Sequence, residues 1–113
     1  MTLRLETITF DALDPLTLAA WWARQVDGTV HDVAEGAFVL VQAEGLKLGF
    51  QKVVDPTPGK NRVHVDLAAS DRDAEVERLV EGGATVVARH AMGDFAWVVL
   101  ADPDGNQFCV TGS

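Results

Sequence analysis

Apolar and polar residues alternate along most of this chain with a period of two, and the alternation is interrupted twice by stretches of helical spacing. In the stretch from Arg62 to Asp71, Val63, Val65 and Leu67 alternate with His64 and Asp66, which predicts a strand over 62–69 with one buried face and one polar face. Asp71 then stands where a side chain would cap a helix running to Val80, with Ala74, Val76, Leu79 and Val80 as its apolar side. A weaker copy lies near the N-terminus. Leu3 to Phe10 alternates as a strand, and Asp14-Pro15 opens a helix to about Val26, with Leu18, Trp22 and Val26 four apart and Trp21 beside them. Laying Thr7–Asp14 over His64–Asp71 brings the two cap aspartates together, so the chain reads as two copies of one unit.

Turn residues divide the rest. After Asp27-Gly28, strands are expected over 29–33, 37–42 and 46–53, separated by Glu35-Gly36 and Glu44-Gly45. Residues 54–61, with Asp55-Pro56-Thr57-Pro58-Gly59 at their centre, form a short linker. Beyond the second helix, Gly82-Gly83 precedes a strand over 84–89, a connection over 91–94, a strand over 95–101, the turn Asp102-Pro103-Asp104-Gly105, and a last strand over 106–111. Unit one is thus 1–53 and unit two 62–113, in a single α+β domain, because 113 residues are too few for two independent cores.

Composition narrows the function. A net charge of −8, with nine basic residues spread along the chain, argues against a nucleic-acid partner. No apolar run reaches the length of a membrane span and no signal-peptide block opens the chain, so a cytoplasmic protein without a membrane partner is expected. The lone Cys109 forms no internal disulfide; it is either a nucleophile or a small buried hydrophobe on the strand Phe108-Cys109-Val110.

The two strand–helix–strand–strand–strand units, the His64-Val65-Asp66-Leu67 strand, the Lys60-Asn61-Arg62-Val63-His64 segment and the Asp102-Pro103-Asp104-Gly105-Asn106 turn together resemble the glyoxalase, bleomycin-resistance and extradiol dioxygenase superfamily, also called vicinal-oxygen-chelate. The resemblance implies two tandem βαβββ units forming a curved, mixed, mostly antiparallel sheet with the helices outside, often in a homodimer. It also implies that metal-dependent members carry His, Glu or Gln ligands on the first and last strands of each unit, aimed into a shared cavity. Those positions here are Thr7, Gly49, His64 and Cys109, of which only His64 is an ordinary ligand for such an ion. The metal site therefore reads as degenerate, and no cofactor is expected.

The expected ligand is a small aromatic or apolar organic molecule in the cavity between the units. If Phe108 and Val110 face the helices with Val98 and Leu100, then Trp97, Val99, Cys109 and Thr111 line the other face, joined by His64 and Asp66, with Thr7, Thr9, Gly49 and Gln51 from unit one. Each has a plainer reading: His64 as a hydrogen-bonded cavity histidine, Trp97 as core or dimer contact, Trp21 and Trp22 as helix-to-sheet packing. His31 and His90 sit near expected strand ends and receive no role. Two rival functions stay open: a lyase or isomerase using His64 as base, oriented by Asp66, or as a metal ligand, and a structural dimerisation module.

Overall fold

Caps and turns fix where the elements begin. The computed structural model describes residue 2 and residues 4–112, with the order β1 (Ile8–Ala12), α1 (Pro15–Val26), β2 (Thr29–Asp32), β3 (Phe38–Ala43), β4 (Leu46–Lys52), β5 (Val65–Ala69), α2 (Arg72–Glu81), β6 (Thr85–Met92), β7 (Phe95–Ala101) and β8 (Gln107–Gly112). Two compact units, residues 1–57 and 58–113, divide the chain, and each holds one helix and one four-stranded mixed sheet. In both, the first strand pairs in parallel with the last, and the other two strands continue antiparallel from it: β1-β4-β3-β2 and β5-β8-β7-β6.

In the first unit the carboxylate of Asp14 caps α1, accepting from the Thr17 hydroxyl at 2.7 Å and the Thr17 N–H at 3.5 Å, with Pro15 at the first helical position. These bonds hold the Asp14 carboxyl below the usual range, the Thr17 hydroxyl contributing most. The helix buries Leu18, Ala19, Trp21 and Trp22 against the sheet face made by Phe10, Ala12, Val39, Val41, Leu48 and Phe50. Trp22 is fully buried, its ring 5.2 Å from those of Phe10 and Trp21, and Phe10 stacks on Phe50 at 5.3 Å. Both helix tryptophans are therefore core, as their spacing predicts.

In the second unit Asp71 caps α2 by accepting from the Ala74 N–H at 3.1 Å. This helix rests on the sheet through Val76 and Leu79, while Ala74 and Val80, expected on its apolar side, are exposed. At about 100° per residue Ala74 lies about 200° from Val76, on the opposite side of the cylinder, whereas Val80 lies about 100° round from Leu79, at the edge of the buried line.

Other boundaries shift for reasons of pairing. The first strand, expected over 3–10, of which Leu3 lies outside the described residues, runs from Ile8 to Ala12, its parallel register setting Ile8 beside Leu48 and Ala12 beside Lys52 at the end of β4. The strand expected from Arg62 begins at Val65, which lies beside Phe108, one residue after the start of β8. β6 continues to Met92 where a connection was expected, and turns tightly through Gly93-Asp94, with Gly93 at φ 62, into β7.

Candidate functional site

The sheet face of the second unit that α2 leaves open collects most of the singled-out side chains. The turn that fixes this hairpin is built around Asp102. Nearly fully buried, its Oδ1 accepts from the backbone N–H of Asp104 and of Asn106, each at 2.9 Å, and the Asn106 side-chain amide donates to both of its oxygens. This closed set of bonds locks the β7–β8 register, Trp97↔Thr111, Val98↔Val110, Val99↔Cys109 and Leu100↔Phe108. Alternation then sends Phe108, Val110, Val98 and Leu100 into the core and puts Trp97, Val99, Cys109 and Thr111 on the open face. The parallel partner β5 adds Asp66 beside Cys109, and β6 adds His90 beside Trp97.

These residues line a pocket of about 400 Å³, together with His64, Lys60 and Phe95. His64 reaches it from the residue preceding β5. Lys60 arrives from the incoming segment, tied to β8 by the Asn61 side-chain amide, which donates to the Gln107 carbonyl at 2.7 Å. One wall is aromatic: His90 stacks on Trp97 at 5.2 Å with 27° between the planes, and Phe95 leans on Trp97 at 5.5 Å. Phe95 is 54% exposed and Trp97 half-buried, so much of this wall remains open to solvent.

Cys109 forms part of the floor. Burial above all, then the hydrogen bond to the Asp66 carboxylate and the negative charge of that group, push the thiol above its usual range, with the Lys60 charge acting the other way. A buried thiol kept protonated is a poor nucleophile, which favours the plainer reading of this cysteine.

Of the expected site residues, His64, Asp66, Trp97, Val99 and Cys109 come together in this pocket; Thr7, Gly49 and Gln51 belong to the other unit and do not line it. Thr7 is half-buried just before β1, and Gln51 is exposed on β4 between Asp11 and Phe38. Gly49 is buried and covered: a Cβ there would lie 2.8 Å from Phe38 Cζ and 2.9 Å from Thr9 Oγ1. By register Thr9–Gly49 in the first unit answers to Asp66–Cys109 in the second, so the Phe38 ring lies over Gly49 where the second unit carries the Cys109 side chain.

The same positions test the metal of metal-dependent members. A ligating side chain at 49 would have to displace Phe38, Thr7 offers a weak hydroxyl donor, and Cys109 is held as the thiol, so this donor set does not fit a divalent ion. Among the described residues no three His, Cys, Asp or Glu side chains gather as a metal-binding group.

The sequence pattern alone does not bring Lys60, His90 and Phe95 to the pocket. A strand ending at Arg89 leaves His90 at its edge. A tight turn centred on Gly93-Asp94 pairs Met92 with Phe95 and, counting back, His90 with Trp97, and that turn signal was present in the sequence.

Comparison with known proteins agrees with this architecture. The chain aligns closely in fold with the fosfomycin resistance protein FosX of Listeria monocytogenes (TM-score 0.80, 14% identity, covering 100% of this chain and 95% of that one). It does so also with lactoylglutathione lyase from Agrobacterium tumefaciens (TM-score 0.72, 15% identity, 100% and 96%). A third match is the bleomycin resistance determinant encoded on transposon Tn5 (TM-score 0.68, 16% identity, 98% and 98%). At these identities the likeness speaks for the fold. A search among curated proteins returns no match. The sequence model of the glyoxalase-like domain, however, matches residues 7–111, nearly the whole chain, and the protein belongs to the glyoxalase-like domain family.

Proposed function

We propose that this protein binds a small, planar organic molecule on the open face of its second unit, without a metal. The observation that carries the reading is the solvent-facing ring wall of Phe95, Trp97 and His90 beside a pocket of about 400 Å³. Its floor is apolar at Val99 and Cys109, and its few polar groups, Lys60, His64, Asp66 and Thr111, are enough to orient a ligand. A carrier or resistance role is analogy from the fold, which hosts unrelated functions. The homodimer that the family resemblance implies is part of the proposal and is measured by light scattering on the purified chain.

A library of aromatic compounds titrated against wild type and Trp97→Leu, with calorimetry as readout, tests the proposal. Loss of the stacking surface should weaken binding by about fivefold or more, from about 1 kcal/mol of ring contact. Normal binding by Trp97→Leu together with early melting would mark Trp97 as packing and refute the site.

A second reading draws on His64 and Asp66 sharing the pocket wall: proton abstraction next to a carbonyl, with His64 as base and Asp66 as orienter. It requires α-proton exchange of 2-hydroxyacetophenone in deuterated water above the buffer rate, abolished in His64→Gln.

A further inference from the structure

We infer that the ligand is an aromatic acid, a planar ring system lying against Trp97 whose carboxylate is read by Lys60 and His64. This rests on the aromatic-binding reading above and adds the ligand's charge to it. The polar groups of the pocket set what it can bind. The Lys60 ammonium carries three N–H donors and no acceptor, and the imidazoles of His64 and His90 each carry a ring N–H, whereas Asp66 is the one carboxylate among the described residues that line it. The Thr111 hydroxyl is turned away as a donor, toward the Leu67 carbonyl at 3.5 Å. Three donor-bearing side chains, Lys60, His64 and His90, thus face the pocket, enough to hold a ligand group made of acceptors.

The pocket also contrasts in charge with the rest of the molecule. The chain has 17 acidic residues against nine basic ones and three histidines. A pocket drawn at random from such a surface would be acidic, yet this one holds a lysine and two of the three histidines against a single carboxylate. On a chain of net charge −8 it is a local relief from negative potential, where an anion can settle. Asn61 is bonded to the Gln107 carbonyl at 2.7 Å, which holds the backbone next to Lys60 against β8, so that the ammonium is brought to the pocket on an anchored segment. Charge-assisted hydrogen bonds to a carboxylate gain from such pre-organisation.

Calorimetric titration of the full chain with three matched probes decides the matter: 2-naphthoate, its neutral amide 2-naphthamide, and the cation 2-naphthylmethylammonium. The acid should bind at least about fivefold tighter than the amide, and the cation weakest. In Lys60→Gln the acid-to-amide ratio should fall to about one, and in Lys60→Glu it should invert. Lys60 is exposed, so melting temperatures should match wild type and exclude misfolding as the cause. Amide or cation binding as tightly as the acid would overturn the inference while leaving the aromatic-binding reading intact. Failure of all three probes to bind would overturn both.

Discussion

Gly49 is the position in the first unit over which the Phe38 ring packs, and adding one carbon there tests that contact. In Gly49→Ala the new Cβ would sit 2.8 Å from Phe38 Cζ, 2.9 Å from Thr9 Oγ1 and 3.1 Å from Phe38 Cε1. Normal carbon contacts are about 3.5–4.0 Å, so the ring must retreat by about 0.7 Å or more. Overpacking of this kind costs about 1–3 kcal/mol, offset by about 0.5–1 kcal/mol from replacing a strand glycine with alanine, for a net loss of up to about 2.5 kcal/mol. For a domain of this size that is a melting point lower by up to about 10 °C. Shrinking the obstacle should reverse the sign: in the Phe38→Leu background Gly49→Ala should be neutral or stabilising, a coupling of about 0.5–3 kcal/mol read from a double-mutant cycle in urea. A Gly49→Ala protein as stable as wild type, with no coupling to Phe38, would show that the ring does not hold this place.

Other consequences can be measured with the same protein. Trp22→Ala, at a fully buried position, should lose about 3–5 kcal/mol, whereas the half-buried Trp97→Ala should lose much less; urea melts of both check the contrast. Cys109 should react slowly with iodoacetamide at pH 8, and Asp66→Asn, by removing a carboxylate that favours the thiol, should speed alkylation at constant pH. Because the folded thiol titrates above the unfolded one, its contribution to stability is fully present below the ordinary thiol range, near about 8.5, and declines as pH rises through and beyond it; Cys109→Ser should flatten that limb. Asp14 has the opposite sign: its lowered carboxyl stabilises α1 above the ordinary carboxylate range and loses that contribution as pH falls through the depressed value, so Asp14→Ala should melt earlier at pH 7 with a smaller deficit at pH 2.

Much of this was legible in the chain because period and caps speak locally. The aspartates at 14 and 71, the Asp102–Asn106 turn and the alternation across Val98–Leu100 and Phe108–Val110 fix helix starts, a hairpin register and the open face without any long-range information. What escaped depended on partners. The start of β5 at Val65 falls beside the beginning of β8, a pairing that no local pattern encodes. Lys60 looked like linker because only its neighbour's bond to Gln107 ties it to the sheet. Phe38 looked like an ordinary strand residue, and its role against Gly49 appears only once β3 and β4 are paired.

The proposed aromatic-binding site lies on the open sheet face of the second unit alone. A backbone amide NMR titration with 2-naphthoate puts it to the test. Saturable shifts are expected, with one equivalent bound per chain, concentrated at His64, Asp66, His90, Trp97, Val99, Cys109 and Thr111. Shifts centred instead on Thr9, Phe38, Gly49 and Gln51, or spread over both units without saturation, would contradict it.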